Sequence, residues 1–181
     1  EVEGTVISQV VLGSSANPGL RDFWVASQML EGKKIHPDVS LDVNPSSRQV
    51  MENLQAMNAL FPFYRSGGRV HQAGCLGCIG MGQAPASGKN SLRTVPRNFP
   101  GRSGTLDDRV YLCSPETAMA SALTGRITDP RSFAKSLRMK PGDFIEKYLR
   151  IDEDKDYVLK SSPCPFLDSE NYCTVYDARP K

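Results

Sequence analysis

Several things are scarce in this 181-residue chain. No apolar run approaches the roughly 20 residues that a membrane-spanning helix needs. No charged stretch followed by an apolar one, of the kind that marks a secretory signal, is present. Basic residues number 22 and acidic ones 20, and the resulting +2 has no cluster behind it, so charge gives no argument for a nucleic-acid partner. There is no internal repeat and no low-complexity tract. Cysteines are few and odd in number, five in all. An odd count without a secretory signal favours thiols, metal ligands or an iron–sulfur site in a reducing compartment, the cytoplasm, over a disulfide framework.

What remains is the composition of a water-soluble globular chain, 39% hydrophobic and 23% charged. The length has room for one ordinary domain plus a small appendage. The chain opens at Glu1 without an initiator methionine and stops at Arg179-Pro180-Lys181 without a terminating element, so a piece of a longer protein is expected.

The stretch with the strongest chemical signal is Gly74-Cys75-Leu76-Gly77-Cys78-Ile79-Gly80-Met81-Gly82-Gln83. Two cysteines at Cys-x-x-Cys spacing supply soft ligands, and the glycines let backbone N–H groups approach cluster sulfides. A metal or cluster site, a redox dithiol and incidental loop cysteines are all open readings. The redox reading needs a helix starting at the motif, which Gly77, Gly80 and Gly82 disfavour. An arginine-rich loop follows, from Asn90 to Thr105. Arg93, Arg97 and Arg102 sit among Asn, Ser and Gly rather than acidic partners, and guanidinium forks suit bidentate carboxylates or phosphates. The bland reading is a solvated basic loop. Cys113 reads as a core thiol, His71 as a structural histidine and His36 as a surface residue.

The pattern around these motifs alternates strand and helix. Thr5 to Leu12 reads as a buried parallel strand. Asn17 and Pro18 are a good cap and first turn for a helix carrying Leu20, Phe23, Trp24 and Leu30, which Gly32 ends. Val39, Leu41 and Val43 form a second strand. A capping box at Ser46-x-x-Gln49 opens a helix with Val50, Leu54, Met57 and Phe61 on one face. Arg69 to Ala73 gives a third strand. Arg109 to Cys113 is a further strand, and Ser114-Pro115-Glu116 starts a helix closing at Gly125. The expected fold is α/β, a three-layer parallel sheet with right-handed βαβ crossovers. Ligands in such sheets sit beyond the carboxyl ends of the strands, where Ser14 to Asn17, Asn44 to Ser47 and Cys75 to Cys78 all fall.

From about residue 131 the character changes. Two short helices are expected around Phe133 to Leu137 and Phe144 to Leu149. Cys164 and Cys173 then lie among prolines and aromatics, as in a small metal-held module. The boundaries drawn from the sequence are therefore 1–130 and 131–181, the second a small α-rich cysteine-containing module.

On these residues the chain resembles the cluster-bearing third domain of aconitase-type hydro-lyases, a family that includes homoaconitase and isopropylmalate isomerase. The resemblance covers residues 5 to about 130. The family's Gly-Cys-Gly-Pro-Cys-Ile-Gly is matched by Gly74 to Gly80, with Leu-Gly in the middle. Its Arg-Asn-Phe-x-Gly-Arg is matched by Arg97 to Arg102, and its Ser-Pro-Glu helix start by Ser114 to Glu116. The resemblance implies a 4Fe-4S cluster with Cys75 and Cys78 as two ligands. It also implies substrate carboxylates held by Arg97 and Arg102, and reversible dehydration of citrate, isocitrate or a related hydroxy-polycarboxylic acid at an open iron. The family's Gly-Ser-Cys-Thr-Asn lines up with Gly13-Ser14-Ser15-Ala16-Asn17, so Ser15, a weaker ligand for iron, stands where the first cluster cysteine would be. Cys113 or a residue outside the chain is the alternative ligand. Pro96 stands where the family has asparagine. The expected partners are a small polycarboxylate substrate and the enzyme's remaining domains, which hold the acid–base groups; the fragment alone is expected to be inactive. Residues 132–181 resemble the small YkgJ-like zinc- or iron-chelating cysteine-cluster proteins, through Cys164 to Asp168, Cys173, Tyr176 and Arg179-Pro180. That resemblance implies zinc or iron at Cys164 and Cys173, and a non-enzymatic metal-binding protein is the alternative function.

Overall fold

The computed structural model describes residues 2–131 together with the backbone of 149–151 and 157–159. The chain divides into two compact units, Glu1–Pro130 and Arg131–Lys181. The first holds a five-stranded, all-parallel sheet in the order β3-β2-β1-β4-β5. Its strands are β1 (Gln9–Leu12), β2 (Ser40–Val43), β3 (Arg69–Val70), β4 (Asn90–Arg93) and β5 (Arg109–Leu112). Its helices are α1 (Leu20–Leu30), α2 (Arg48–Ala56), α3 (Phe61–Ser66) and α4 (Pro115–Thr124). The order runs outward from β1 in both directions, which makes the gap between β1 and β4 the switch point of the topology.

The two faces of the sheet differ in chemistry. Register pairs put Val10, Leu41 and Leu92 on one face, and Val11, Asp42 and Arg93 on the other. The first face is apolar and meets the helices, α1 packing on both α3 and α4, and α4 on β1. Phe23, Leu30, Phe63 and Met119 are completely or almost completely buried there. Each such side chain contributes about 1.5–3 kcal/mol relative to exposure. The second face is polar and lies under the loop carrying Cys75 and Cys78. The third layer is therefore a loop.

The helices begin and end for local reasons. The Asp22 carboxylate accepts from the Gly19 N–H at 3.1 Å, and Leu20, Phe23, Ala26, Ser27 and Leu30 are the buried face of α1. Ser114 Oγ accepts from the Thr117 N–H at 3.2 Å, Pro115 opens α4, and Gly125 closes it in the left-handed region.

Several expected boundaries move. Gly19 caps α1 in place of Asn17, whose amide is engaged on the Thr94 carbonyl at 2.6 Å. Ser47 rather than Ser46 caps α2, accepting from the Val50 N–H at 3.2 Å. The single helical face expected through Phe61 is two helices, parted at Asn58, which sits at φ 58°. β1 starts at Gln9 rather than Thr5, and Val6 forms an isolated bridge with Arg126. β3 stops at Val70. β4 was not expected at all: part of the arginine loop is an inner strand of the sheet.

In the second unit, β6 (Leu149–Ile151) pairs antiparallel with β7 (Tyr157–Leu159). Leu149, expected at a helix end, is thus in a strand. The two helices expected from Phe133 and Phe144, the cysteines Cys164 and Cys173, and the YkgJ-like motif lie outside the described residues.

Candidate functional site

The loops that leave the carboxyl ends of β1, β2 and β4, and the cysteine loop after β3, are tied to one another on one rim. Gly13 donates its N–H to Thr94 Oγ1 at 2.9 Å, and Asn17 reaches the Thr94 carbonyl, joining the loop after β1 to that after β4. Gly74 donates to the Pro45 carbonyl at 3.1 Å, and Asn44 Nδ2 donates to Gln83 Oε1 at 2.9 Å, joining the loop after β2 to the cysteine loop. Gly13 has φ 109°, and any Cβ there would overlap the Asn44 carbonyl oxygen. Gly80, also at positive φ, leaves room for the Ser103 carbonyl, so the cysteine loop touches the arginine loop beside Arg102.

Beneath the rim, the polar face of the sheet is one connected network. Arg93 is fully buried at the end of β4. Its guanidinium donates to the Gly77 carbonyl inside the cysteine motif, to the Gln83 carbonyl at 2.7 Å and to Gln9 Oε1 at 2.9 Å, and its Nε to Ser91 Oγ at 3.2 Å. Burial lowers its pKa to about 10, against the opposing pull of Asp108 and Asp42, and it stays cationic at neutral pH. Asp42, fully buried on β2, accepts from Arg69 at 3.0 Å and from His71 Nε2 at 2.9 Å. His71 is therefore held by a carboxylate as it leads into the cysteine loop. His36 is half-exposed, its ring beside Gly125.

The residues singled out in the sequence fall unevenly on this frame. Arg93 is a structural cation within a strand, not a free fork. Arg97 is exposed on the rim. Arg102 is half-buried, its guanidinium 5.7 Å from the centre of the Phe99 ring, and its buried Nε has no hydrogen-bond partner among the described residues. Ser15 is exposed in the loop after β1. Cys113 is half-buried past β5, and burial, then the Glu116 charge, pushes its thiol up to about 12. Cys75 and Cys78 are joined as a disulfide with Cα atoms 5.8 Å apart, a separation at which disulfides ordinarily form. The free ligating thiols expected from the sequence are thus a bonded pair in the structure.

The family signature is then read over a large part of the chain. Residues 1–125 match the model of the aconitase family (aconitate hydratase). This chain belongs to the aconitase family. It is 43% identical over 135 residues to the 3-isopropylmalate dehydratase large subunit 1 of Methanopyrus kandleri, covering 74% of this chain and 32% of that protein. It is 45% identical over 134 residues to the 3-isopropylmalate dehydratase large subunit of Methanoregula boonei, covering 72% and 32%. With the methanogen homoaconitase large subunit of Methanocaldococcus jannaschii, identity is 38% over 130 residues, covering 71% and 31%. The chain spans about a third of the length of the curated relatives it matches.

Aconitase-family members generally carry a 4Fe-4S cluster, and the cluster's demand can be set against the donors present. Cys75 and Cys78 converge, but no third His, Cys, Asp or Glu groups with them among the described residues. Ser15, which the sequence lines up with the remaining cluster cysteine, offers a hydroxyl, a harder and more weakly acidic donor than a thiol. Among the described residues the converging donors stop at two bonded sulfurs, which do not fit the family's three-cysteine cluster.

Gln9, and the part Gln83 plays beneath the cysteine motif, carried no signal in the sequence. Asp42 did carry a signal: a charge between Leu41 and Val43 in a strand buried on both faces must have partners within the fold.

Proposed function

We propose that this chain is the carboxylate-binding domain of an aconitase-family hydro-lyase large subunit, which reversibly removes water from a hydroxy di- or tricarboxylic acid. The observation that carries it is the half-buried Arg102, with a buried, unpartnered Nε, on the rim at the topological switch point. A guanidinium held there by the Phe99 ring is matched to a carboxylate by charge and by fork geometry. Arg97, exposed five residues earlier, takes a second carboxylate.

In dehydration the carbon-bound proton leaves and the C–O bond breaks, so negative charge spreads into the neighbouring carboxylate. Two fixed cations stabilise that charge without reorganising at the moment of reaction. They also orient the acid so that the proton and hydroxyl face their catalytic groups. We assign the base and the acid to the parts of the subunit that this chain does not span, and to any companion subunit that the words "large subunit" in the relatives' names imply. The names of those relatives favour a 3-isopropylmalate-like or homologated acid over citrate or isocitrate, and so a place outside the tricarboxylic acid cycle. A cytoplasmic setting goes with this reading, and no helix among the described residues is long and apolar enough to cross a membrane. The zinc- or iron-binding alternative falls outside the described residues, and no observation favours it.

Ligand protection tests the reading. At a concentration about ten times its Kd, a bound acid stabilises the native chain by about 1.4 kcal/mol. Millimolar 3-isopropylmalate should raise the unfolding midpoint more than citrate does, and Arg102→Lys should reduce the effect. Equal midpoints with and without either acid would remove the carboxylate site.

A further inference from the structure

We propose that Cys75 and Cys78 are a reversible dithiol–disulfide pair, opened by a small-molecule or protein dithiol, in the place where the family sets a cluster. The two sulfurs are bonded in the structure, and no third His, Cys, Asp or Glu ligand accompanies them among the described residues. The pair is asymmetric: Cys75 is half-buried, whereas Cys78 is only 1% exposed. Attack therefore falls on Cys75, forming a mixed disulfide and releasing Cys78 as the thiolate. The second thiol of the reductant then attacks its own sulfur in the mixed disulfide and releases Cys75. Two electrons and two protons pass to the pair, and the reductant leaves as its cyclic disulfide.

The surrounding structure keeps the pair closable after reduction. The Cys-x-x-Cys loop does not depend on its own S–S bond for its position. Arg93 holds the Gly77 and Gln83 carbonyls, Asn44 holds Gln83 Oε1 at 2.9 Å, and Gly77 lies against Val11 with space for no side chain. Two thiols held on such a frame stay at high effective concentration. Attack of one on a small-molecule disulfide such as glutathione disulfide is therefore followed by reclosure, two glutathione thiols leaving with the two electrons and two protons, rather than by a lasting mixed disulfide. The loop also abuts Ser103 next to Arg102, so a change of state at the pair has a short path to the carboxylate loop. The proposal itself concerns the thiols alone and does not depend on the carboxylate reading.

The test uses the full chain, equilibrated anaerobically in glutathione buffers from fully reducing to fully oxidising, quenched with iodoacetamide and mapped by peptide mass. The expected result is that Cys75 and Cys78 lose alkylation together, in one transition within that range. In Cys78→Ser, Cys75 should instead accumulate as a mixed disulfide with glutathione. Because Cys78 is buried, Cys75→Ser is the companion variant, in which Cys78 should stay a slowly alkylated thiol. Alkylation of both cysteines at every ratio would show a pair that never closes, and protection at every ratio a fixed structural bond; either overturns the proposal. So would four irons per chain after reconstitution with iron and sulfide, lost in Cys75→Ser. Acid protection measured on the fully reduced chain tests the carboxylate site separately, so the two readings can fail independently.

Discussion

Arg93 is a cation that the fold takes out of water and surrounds with carbonyl and amide oxygens from β1 and the cysteine loop. Removing it strips buried acceptors of their donors and leaves the Asp42 carboxylate with less opposing charge. Each orphaned acceptor costs about 1–3 kcal/mol, so Arg93→Met should destabilise by more than about 2 kcal/mol. Urea unfolding would show this as a lower midpoint at an unchanged slope. Cys113 is a residue of the opposite kind, one that the fold keeps neutral. Its pKa, pushed to about 12 from 9.0 by burial first and Glu116 second, is raised for an acid, so the folded state favours the protonated thiol. The stabilisation from this group is therefore whole below pH 9.0 and is lost as pH climbs from 9.0 toward 12. Around pH 8.5 iodoacetamide should modify Cys113 in the native chain at least tenfold more slowly than in the unfolded chain, because thiolate is the reacting form. Comparable rates would show that the thiol is not shielded.

At the scale of elements, legibility followed the hydrophobic pattern. The ends of α4 were readable because Ser114 and Gly125 act through local hydrogen bonds and backbone conformation. The buried face of α1 was readable from its periodicity, but its first turn was not: Asn17 has a long-range partner, Thr94, that no local rule can supply. β4 was hidden because its residues, Asn90-Ser91-Leu92-Arg93, look like loop chemistry. The side chains of Ser91 and Arg93 are satisfied by Gln9, Gln83 and Gly77, which lie far away in the chain or across a turn, and Asn90 donates to the Val6 carbonyl. The candidate site was legible as motifs at strand ends; the disulfide and the Arg93 network were not, since both depend on tertiary approach. Gly13 shows how tightly β1 and β2 are seated at the rim. Gly13→Ala would place a methyl on the Asn44 carbonyl at a backbone angle that L-residues rarely adopt. A loss of at least about 2 kcal/mol is expected in thermal or urea unfolding, whereas Gly32→Ala, at positive φ but with open space around it, should cost less.

At the scale of the whole molecule, the family match ends at residue 125 and the first compact unit ends at Pro130. That unit contains every strand of the parallel sheet, its four helices and both loops of the candidate site. It closes on itself near its two ends: Ile7 donates to the Gly125 carbonyl at 3.0 Å, and Ile127 to the Thr5 carbonyl at 2.8 Å. Ile127 is buried as well, so a cut before it would remove both a backbone pairing and apolar packing. A chain cut after Pro130 keeps both. The apolar core and the polar network both lie inside residues 2–130, and single domains of this size ordinarily unfold in one step. Residues 1–130 alone should therefore unfold in urea with one cooperative transition, at a slope of about 1–2 kcal/mol per molar. Cutting after Leu123 instead should lower the midpoint sharply, because it removes the Gly125 cap of α4 together with the pairings to Thr5 and Ile7. A broad, non-cooperative transition for 1–130, or equal midpoints for the two cuts, would mean that the sheet does not carry its own stability.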